Sequence, residues 1–187
     1  MAKDYAQMGY TEMRREDRAV EDDAWIKAYL GEAAMGVLAT SYEGQPFINS
    51  NLFVYDEVEH AIYMHTAQVG RTRANLDANP RVCFHTFSMG RLLPADEALE
   101  FSVEYAGVMV FGEVVIVEEN EEKERGLQLL LDKYAPHLRP DRDYRSITPE
   151  ELKRTAVYKI RIDEWVGKKK EVEEDFPGAF IYNENGK

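Results

Sequence analysis

The run 101–117, FSVEYAGVMVFGEVVIV, constrains the fold of this chain more than any other segment. It is rich in valine, whose branched Cβ suits a pleated, half-buried surface, and it reads as one long strand. Gly107 and Gly112 interrupt it, and interior strand glycines mark a bend, a bulge or the close approach of another backbone or a ligand. Shorter strand candidates come earlier. Segments 36–40 and 46–55 make a hairpin across Glu43-Gly44, 61–66 extends the meander, and 81–87 resumes it. A last strand, 157–162, alternates Val157, Lys159 and Arg161 against Tyr158, Ile160 and Ile162, as a half-buried strand does. The stretch 88–99, with Gly90 and Pro94, reads as an irregular excursion.

Helical spacing appears between these runs. Trp25, Ile26, Tyr29, Leu30 and Ala33 lie on one face of a helix over 21–34, and Leu127, Leu130, Leu131 and Tyr134 on one face of 121–134, with Asn120 as its cap. A short helix follows 71–78, and Thr148-Pro149-Glu150-Glu151 is a strong helix start. Sequential antiparallel strands with helices at their edges describe a mainly β fold, an antiparallel barrel with accessory helices. No internal repeat or interdomain linker interrupts 1–187, so a single domain is expected.

The formal net charge of −12 argues against nucleic acid as a partner, because a polyanion meets repulsion at long range. Much of the acid lies in two runs, 118–124 and 171–175, which read as solvated faces or tails. No apolar run is long enough to span a bilayer. The first residues, MAKDYAQMGYTEMRRED, lack the apolar core of a secretory signal, and a cytoplasmic protein is expected. Cys83 is the one cysteine, which excludes an intrachain disulfide and a cysteine-based metal site. His60, His65, His85 and His137 are scattered, with none of the dense spacing of a metal hydrolase, and there is no nucleophile elbow.

Three places can carry chemistry. In the segment 62–82, a strand ends at His65-Thr66 and a loop delivers Gly70, Arg71 and Thr72 to the start of a helix. Free N–H groups at a helix start, an arginine fork and threonine hydroxyls together suit a phosphate. A plain strand–turn–helix connection explains the segment equally well. Asn49-Ser50-Asn51 places three successive polar residues in an otherwise apolar strand, as a polar ligand edge or an exposed sheet edge requires. Trp165-Val166-Gly167-Lys168 follows the last strand, and its lysine is either a charge near a ligand or part of a solvated run.

In order, these segments resemble the pyridoxamine 5′-phosphate oxidase-like family of FMN-binding split barrels, and within it the nitroimidazole-resistance (Nim-type) branch. The resemblance is carried by MRREDR (13–18), GVLAT (36–40) with GQP (44–46), IYMHTA (62–67), Gly70-Arg71 and NPRVCF (79–84). It continues through Tyr105, Val108 and Gly112, then Lys133-Tyr134 with Pro136-His137, and Gly167-Lys168, covering a core of about 13–170.

The resemblance implies a six-stranded antiparallel split β-barrel that works as a homodimer, with FMN at the subunit interface. It places the phosphate at Gly70, Arg71 and Thr72, and the isoalloxazine ring along Asn49, Ser50, Asn51 and Leu52. His65 and Thr66 stand at the flavin, and Lys168 approaches it from the C-terminal segment. Three positions depart from the family. Thr72 replaces a common lysine, Gly107 replaces a serine or glutamine, and Asn49 stands where the vitamin B6 oxidases use arginine.

The expected activity is reduction of a small electron-poor substrate such as a nitroaromatic or a quinone, with NAD(P)H as a possible electron donor. His65, with its ordinary pKa, is the candidate proton donor. The rivals are haem, with His65 or His85 as axial ligand, a deazaflavin, or flavin binding without turnover. The acidic tail 171–187 either wraps a partner or is disordered.

Overall fold

The valine-rich run forms β7 (Ser102–Val117), which is paired along its length with β6 (Arg81–Leu93) on one side and β8 (Thr155–Lys170) on the other. A computed structural model describes residues 3–183 and shows how the sheet builds outward from these three strands. Beyond β6 come β2 (Gly36–Tyr42) and β3 (Gln45–Asn51). Beyond β8 come β5 (Ala61–Ala67) and β4 (Val54–Asp56), and the two-residue β1 (Ala19–Val20) also pairs with β8. Every pairing is antiparallel.

The barrel therefore contains eight strands among the described residues rather than six. The 46–55 run splits at Leu52-Phe53 into β3 and β4, and β1 is too short to show any alternation.

Two strands also run past their expected ends. β8 continues to Lys170 because Asp163 is bulged out between the pairs Phe111↔Glu164 and Gly112↔Ile162. The bulge breaks the alternation at Ile162, the residue where the sequence pattern stops. Gly112 makes this possible, since a Cβ there would lie 2.0 Å from the carbonyl oxygen of Arg161.

β6 continues through the stretch expected to be irregular, and the tail supports it. The backbones of Leu92 and Phe180 exchange hydrogen bonds at 2.7 and 3.1 Å. Arg91 donates to the carbonyls of Val172, Glu173 and Glu174 while gripping Glu104 bidentately at 2.7 and 2.9 Å. That grip holds the Glu104 carboxyl down at about 2. The described part of the acidic tail thus folds onto its own sheet. Residues 184–187 lie outside the described residues.

Four α-helices of the described residues flank the sheet. α1 (Asp23–Glu32) starts where the Asp22 side chain accepts from Ala24 N–H at 2.9 Å, and it buries Ile26 and Leu30 in the barrel interior. α2 (Arg71–Ala78) follows β5. α3 (Asn120–Tyr134) has Glu119 at its cap position, so Asn120 is its first residue rather than its cap. α4 (Pro149–Arg154) starts at Thr148 as expected, and Thr148 with Glu151 forms a capping box there. Two apolar clusters result: the barrel interior around Leu38, Ile62, Met64, Phe84 and Tyr158, and an outer layer where Leu130 of α3 covers Val54, Tyr63 and Val157.

Candidate functional site

Side chains alternate along β5. Ile62 and Met64 belong to the interior cluster, and Tyr63 to the layer under α3. Thr66 therefore turns inward and shares a 2.9 Å hydrogen bond with the Tyr158 hydroxyl. His65 turns outward, toward α3 and the segment before α4. It is half-buried, its Nδ1 has no partner, and burial pushes its pKa below the ordinary value. The ordinary pKa expected for a proton donor is thus corrected: burial favours the neutral ring.

The two neighbours stand on opposite faces of one strand. Asn51 fastens the end of β3 beside them, donating from Nδ2 to His65 O at 2.7 Å while its Oδ1 accepts from Leu52 N–H at 2.9 Å. Asn49 and Ser50 have no side-chain hydrogen bond among the described residues. They sit on an edge strand whose only described partner is β2. Leu52, next in sequence, is exposed.

The loop after β5 is held in place by residues that motif reading passes over. Gln68 donates to the carbonyls of Lys153 and Thr155 at 3.3 and 2.9 Å, and Arg73 bonds both Gln68 and Asp77. Asn75 is buried in α2 and donates to Thr40 Oγ1 at 2.9 Å, and Asn79 donates to Ser41 at 3.1 Å. An asparagine at mid-helix is a weak helix former, which is the one signal in the sequence for this contact.

These contacts fix α2 on β2 through its buried face of Thr72, Asn75 and Leu76. Arg71 remains exposed, with no hydrogen bond or ion pair among the described residues. The first intrahelical bond runs from Ala74 N–H to Gly70 O at 3.0 Å, and no side chain caps the helix. The N–H groups of Arg71, Thr72 and Arg73 therefore precede the helical ladder. A Cβ on Gly70 would meet nothing within 4 Å, so the approach is open. Uncapped N–H groups, the positive end of a helix and a free guanidinium fit a phosphate dianion.

Lys168 lies elsewhere. It sits inside β8, paired with Gly107, rather than in a segment beyond the last strand. Thr66 pairs with Ala156 at the start of β8. Lys168 lines a cavity of about 330 Å³ with His85, Phe87, Tyr105, Met109 and Val166, its Nζ 5.4 Å from the Tyr105 ring centre. His85 stacks on Phe87 with ring centres 5.3 Å apart. The structure thus brings Asn51 and Leu52 beside His65, keeps Gly70, Arg71 and Thr72 together at the start of α2, and leaves Lys168 in a separate cavity with His85, whose β2 partner Val37 pairs in turn with Ser50.

Among the described residues, no group of three His, Cys, Asp or Glu could hold a metal ion, and no helix is long and apolar enough to cross a membrane.

A family model described as pyridoxamine 5′-phosphate oxidase matches residues 22–169. No curated protein matches the chain in sequence. Among solved structures, the flavocytochrome Anf3 from Azotobacter vinelandii is similar, with a TM-score of 0.76 at 22% identity over 92% of this chain and 84% of that one. So is the FAD and heme binding protein from Mycobacterium smegmatis, at 0.74 and 18% identity over 83% and 74%. A protein assigned to 5-nitroimidazole antibiotic resistance in Bacteroides thetaiotaomicron gives 0.67 and 22% over 81% and 86%.

Proposed function

The chain belongs to the pyridoxamine 5′-phosphate oxidase family, and from that premise we propose that it is an FMN-binding flavoprotein that reduces small electron-poor substrates such as nitroaromatics or quinones. The open start of α2, with Arg71 free above three unpaired N–H groups, carries this reading. Arg71 and the N–H of Thr72 hold the phosphate, Gly70 leaves room for it, and Asn49, Ser50 and the carbonyl of Leu52 offer hydrogen bonds to the ring edge. The chemistry that bound flavin supplies here is hydride and electron transfer, with NAD(P)H as the proposed donor. His65, its neutral form favoured by burial, orients a bound partner through a hydrogen bond. Asn49 cannot make the charged contact of an arginine, which speaks against a vitamin B6 phosphate as substrate.

The first test is the absorption spectrum of the purified protein, followed by NAD(P)H oxidation with nitro and quinone acceptors. Bands of an oxidised flavin with turnover are expected. A Soret band would point instead to haem, the ligand named for one similar structure. A deazaflavin spectrum would also replace FMN, and bound FMN without any turnover would reduce the protein to a flavin carrier.

We further propose that the working form is a homodimer in which Lys168 of one copy reaches the Arg71 site of the other. An apolar face supports this. Ile48, Phe87 and Met89 are 65%, 64% and 51% exposed on the outer side of β3 and β6, where soluble monomers rarely cluster large apolar groups. Sedimentation is expected to give twice 21.6 kDa for the wild type and 21.6 kDa for Phe87→Asp, with FMN lost from the variant. A wild-type monomer that retains FMN would refute the shared site.

A further inference from the structure

The outward turn of His65 opens onto a second cavity, of about 420 Å³, between α3, the end of β5 and the segment leading into α4. We propose that this cavity is the substrate pocket, and that it takes a neutral one- or two-ring aromatic molecule with a hydrogen-bonding polar group, as in a nitroarene or a quinone. The proposal rests on the flavin reading above and names its substrate class.

The volume falls in the range of small-molecule sites, roughly 300–1,000 Å³. The walls are apolar: Leu52, Leu127, Leu130, Leu131 and Ile147, with the ring of Tyr134. One polar atom at this wall is buried and unpartnered, the Nδ1 of His65. A buried nitrogen without a partner is costly, and a turn of the ring that presents it to a ligand's polar atom in the cavity would remove that cost.

The other polar groups of the lining are already engaged. The Tyr134 hydroxyl is bonded to Ala34 O and to the backbone of Phe53, at 2.9 to 3.1 Å. Tyr144 accepts from Gln128 at 3.0 Å. Arg145 is paired with Glu151 at 2.9 and 3.2 Å, so its charge is cancelled at the rim. With that pair closed and burial favouring the neutral His65 ring, the pocket is poorly suited to an anion. It also adjoins the polar strand: Leu52 is part of its wall, and Asn51 is bonded to the His65 carbonyl. A guest here would lie beside the residues assigned to the flavin ring.

Calorimetric titration of the full chain with 4-nitroanisole, with and without FMN, tests the assignment. One molecule per chain is expected to bind. Ile147→Trp and Ala135→Phe, which fill the cavity from two sides, should each weaken binding about tenfold or more, and 4-nitrobenzoate should bind about tenfold more weakly than 4-nitroanisole. His65→Phe keeps the bulk of the ring, removes the nitrogen, and should lower the affinity several-fold.

The proposal falls if the wild type does not bind 4-nitroanisole, if variants that melt like the wild type bind it unchanged, or if the carboxylate binds equally well. Arg71→Ala separates the two readings. It should lower FMN affinity and leave the FMN-free affinity for 4-nitroanisole intact. FMN binding without 4-nitroanisole binding would sink this pocket and spare the flavin, and the reverse result would do the opposite.

Discussion

Replacing Arg71 with alanine is expected to weaken FMN binding by on the order of 1.5–3 kcal/mol, the range for a hydrogen bond to a charged group, or about 10- to 150-fold in Kd. The structure makes this a clean measurement. Arg71 is exposed at the first position of α2 and bonds to nothing among the described residues, so the truncation removes no packing and orphans no partner. The helix itself is held from its other face by Asn75 and by the Arg73–Gln68 contact, and stability should stay close to that of the wild type. What binding remains would come from the N–H groups of the first turn and from the ring contacts.

Riboflavin supplies the second readout. It lacks the phosphate, so wild type and variant should bind it alike. The discrimination between FMN and riboflavin should also shrink at high salt, where an exposed charge pair is screened. Fluorescence titration measures all of these affinities. Equal FMN affinity in the folded variant would remove Arg71 from the site.

Gly112→Ala should destabilise the protein by about 3 kcal/mol, the upper part of the usual range for forcing an extra methyl group into a packed site. The methyl would come 2.0 Å from the carbonyl oxygen of Arg161 and 3.0 Å from its carbon. Both are backbone atoms of a central strand and cannot rotate away. Relief requires β7 and β8 to separate at the bulge, in the middle of a long ladder of paired residues. For a chain of this size that cost lowers Tm by roughly 6–12 °C.

Gly31→Ala is the matching control. Its new methyl would meet nothing within 4 Å on an exposed helix face, and a gain of about 0.5–1 kcal/mol is expected from helix propensity. A Gly112→Ala protein that melts within a degree or two of the wild type would overturn the account of the bulge.

The readable parts of the sequence were those where the pattern is local. The long strand, the helix after Gly70 and the helix start at Thr148 each declare themselves within a few residues, and each is present. The bulge at Asp163 hid the second half of β8 by shifting the alternation. β6 beyond Ser88 was hidden because it is held by contacts with distant tail residues. The site divided along the same line. Gly70, Arg71 and Thr72 are neighbours in sequence and remain so in the fold, whereas the place of Lys168 inside β8 depends on the length of that strand past its bulge. The opposite facing of His65 and Thr66 follows from strand alternation, and could have been read as soon as the strand was assigned.

The position of β8 has a consequence for how the chain is made. The last of the described strands pairs with β1, β5 and β7, so it stands in the middle of the sheet although it is made after all of them. Until it emerges, β5 with β4 cannot join β6 and β7, and the two halves of the barrel wait with unpaired edges. Contacts as far apart as Ala19 with Lys168 make folding slow and late in synthesis. A nascent chain stalled before Thr155 would expose the facing edges of β5 and β7 together, the state in which this protein is most open to aggregation or to capture by a chaperone.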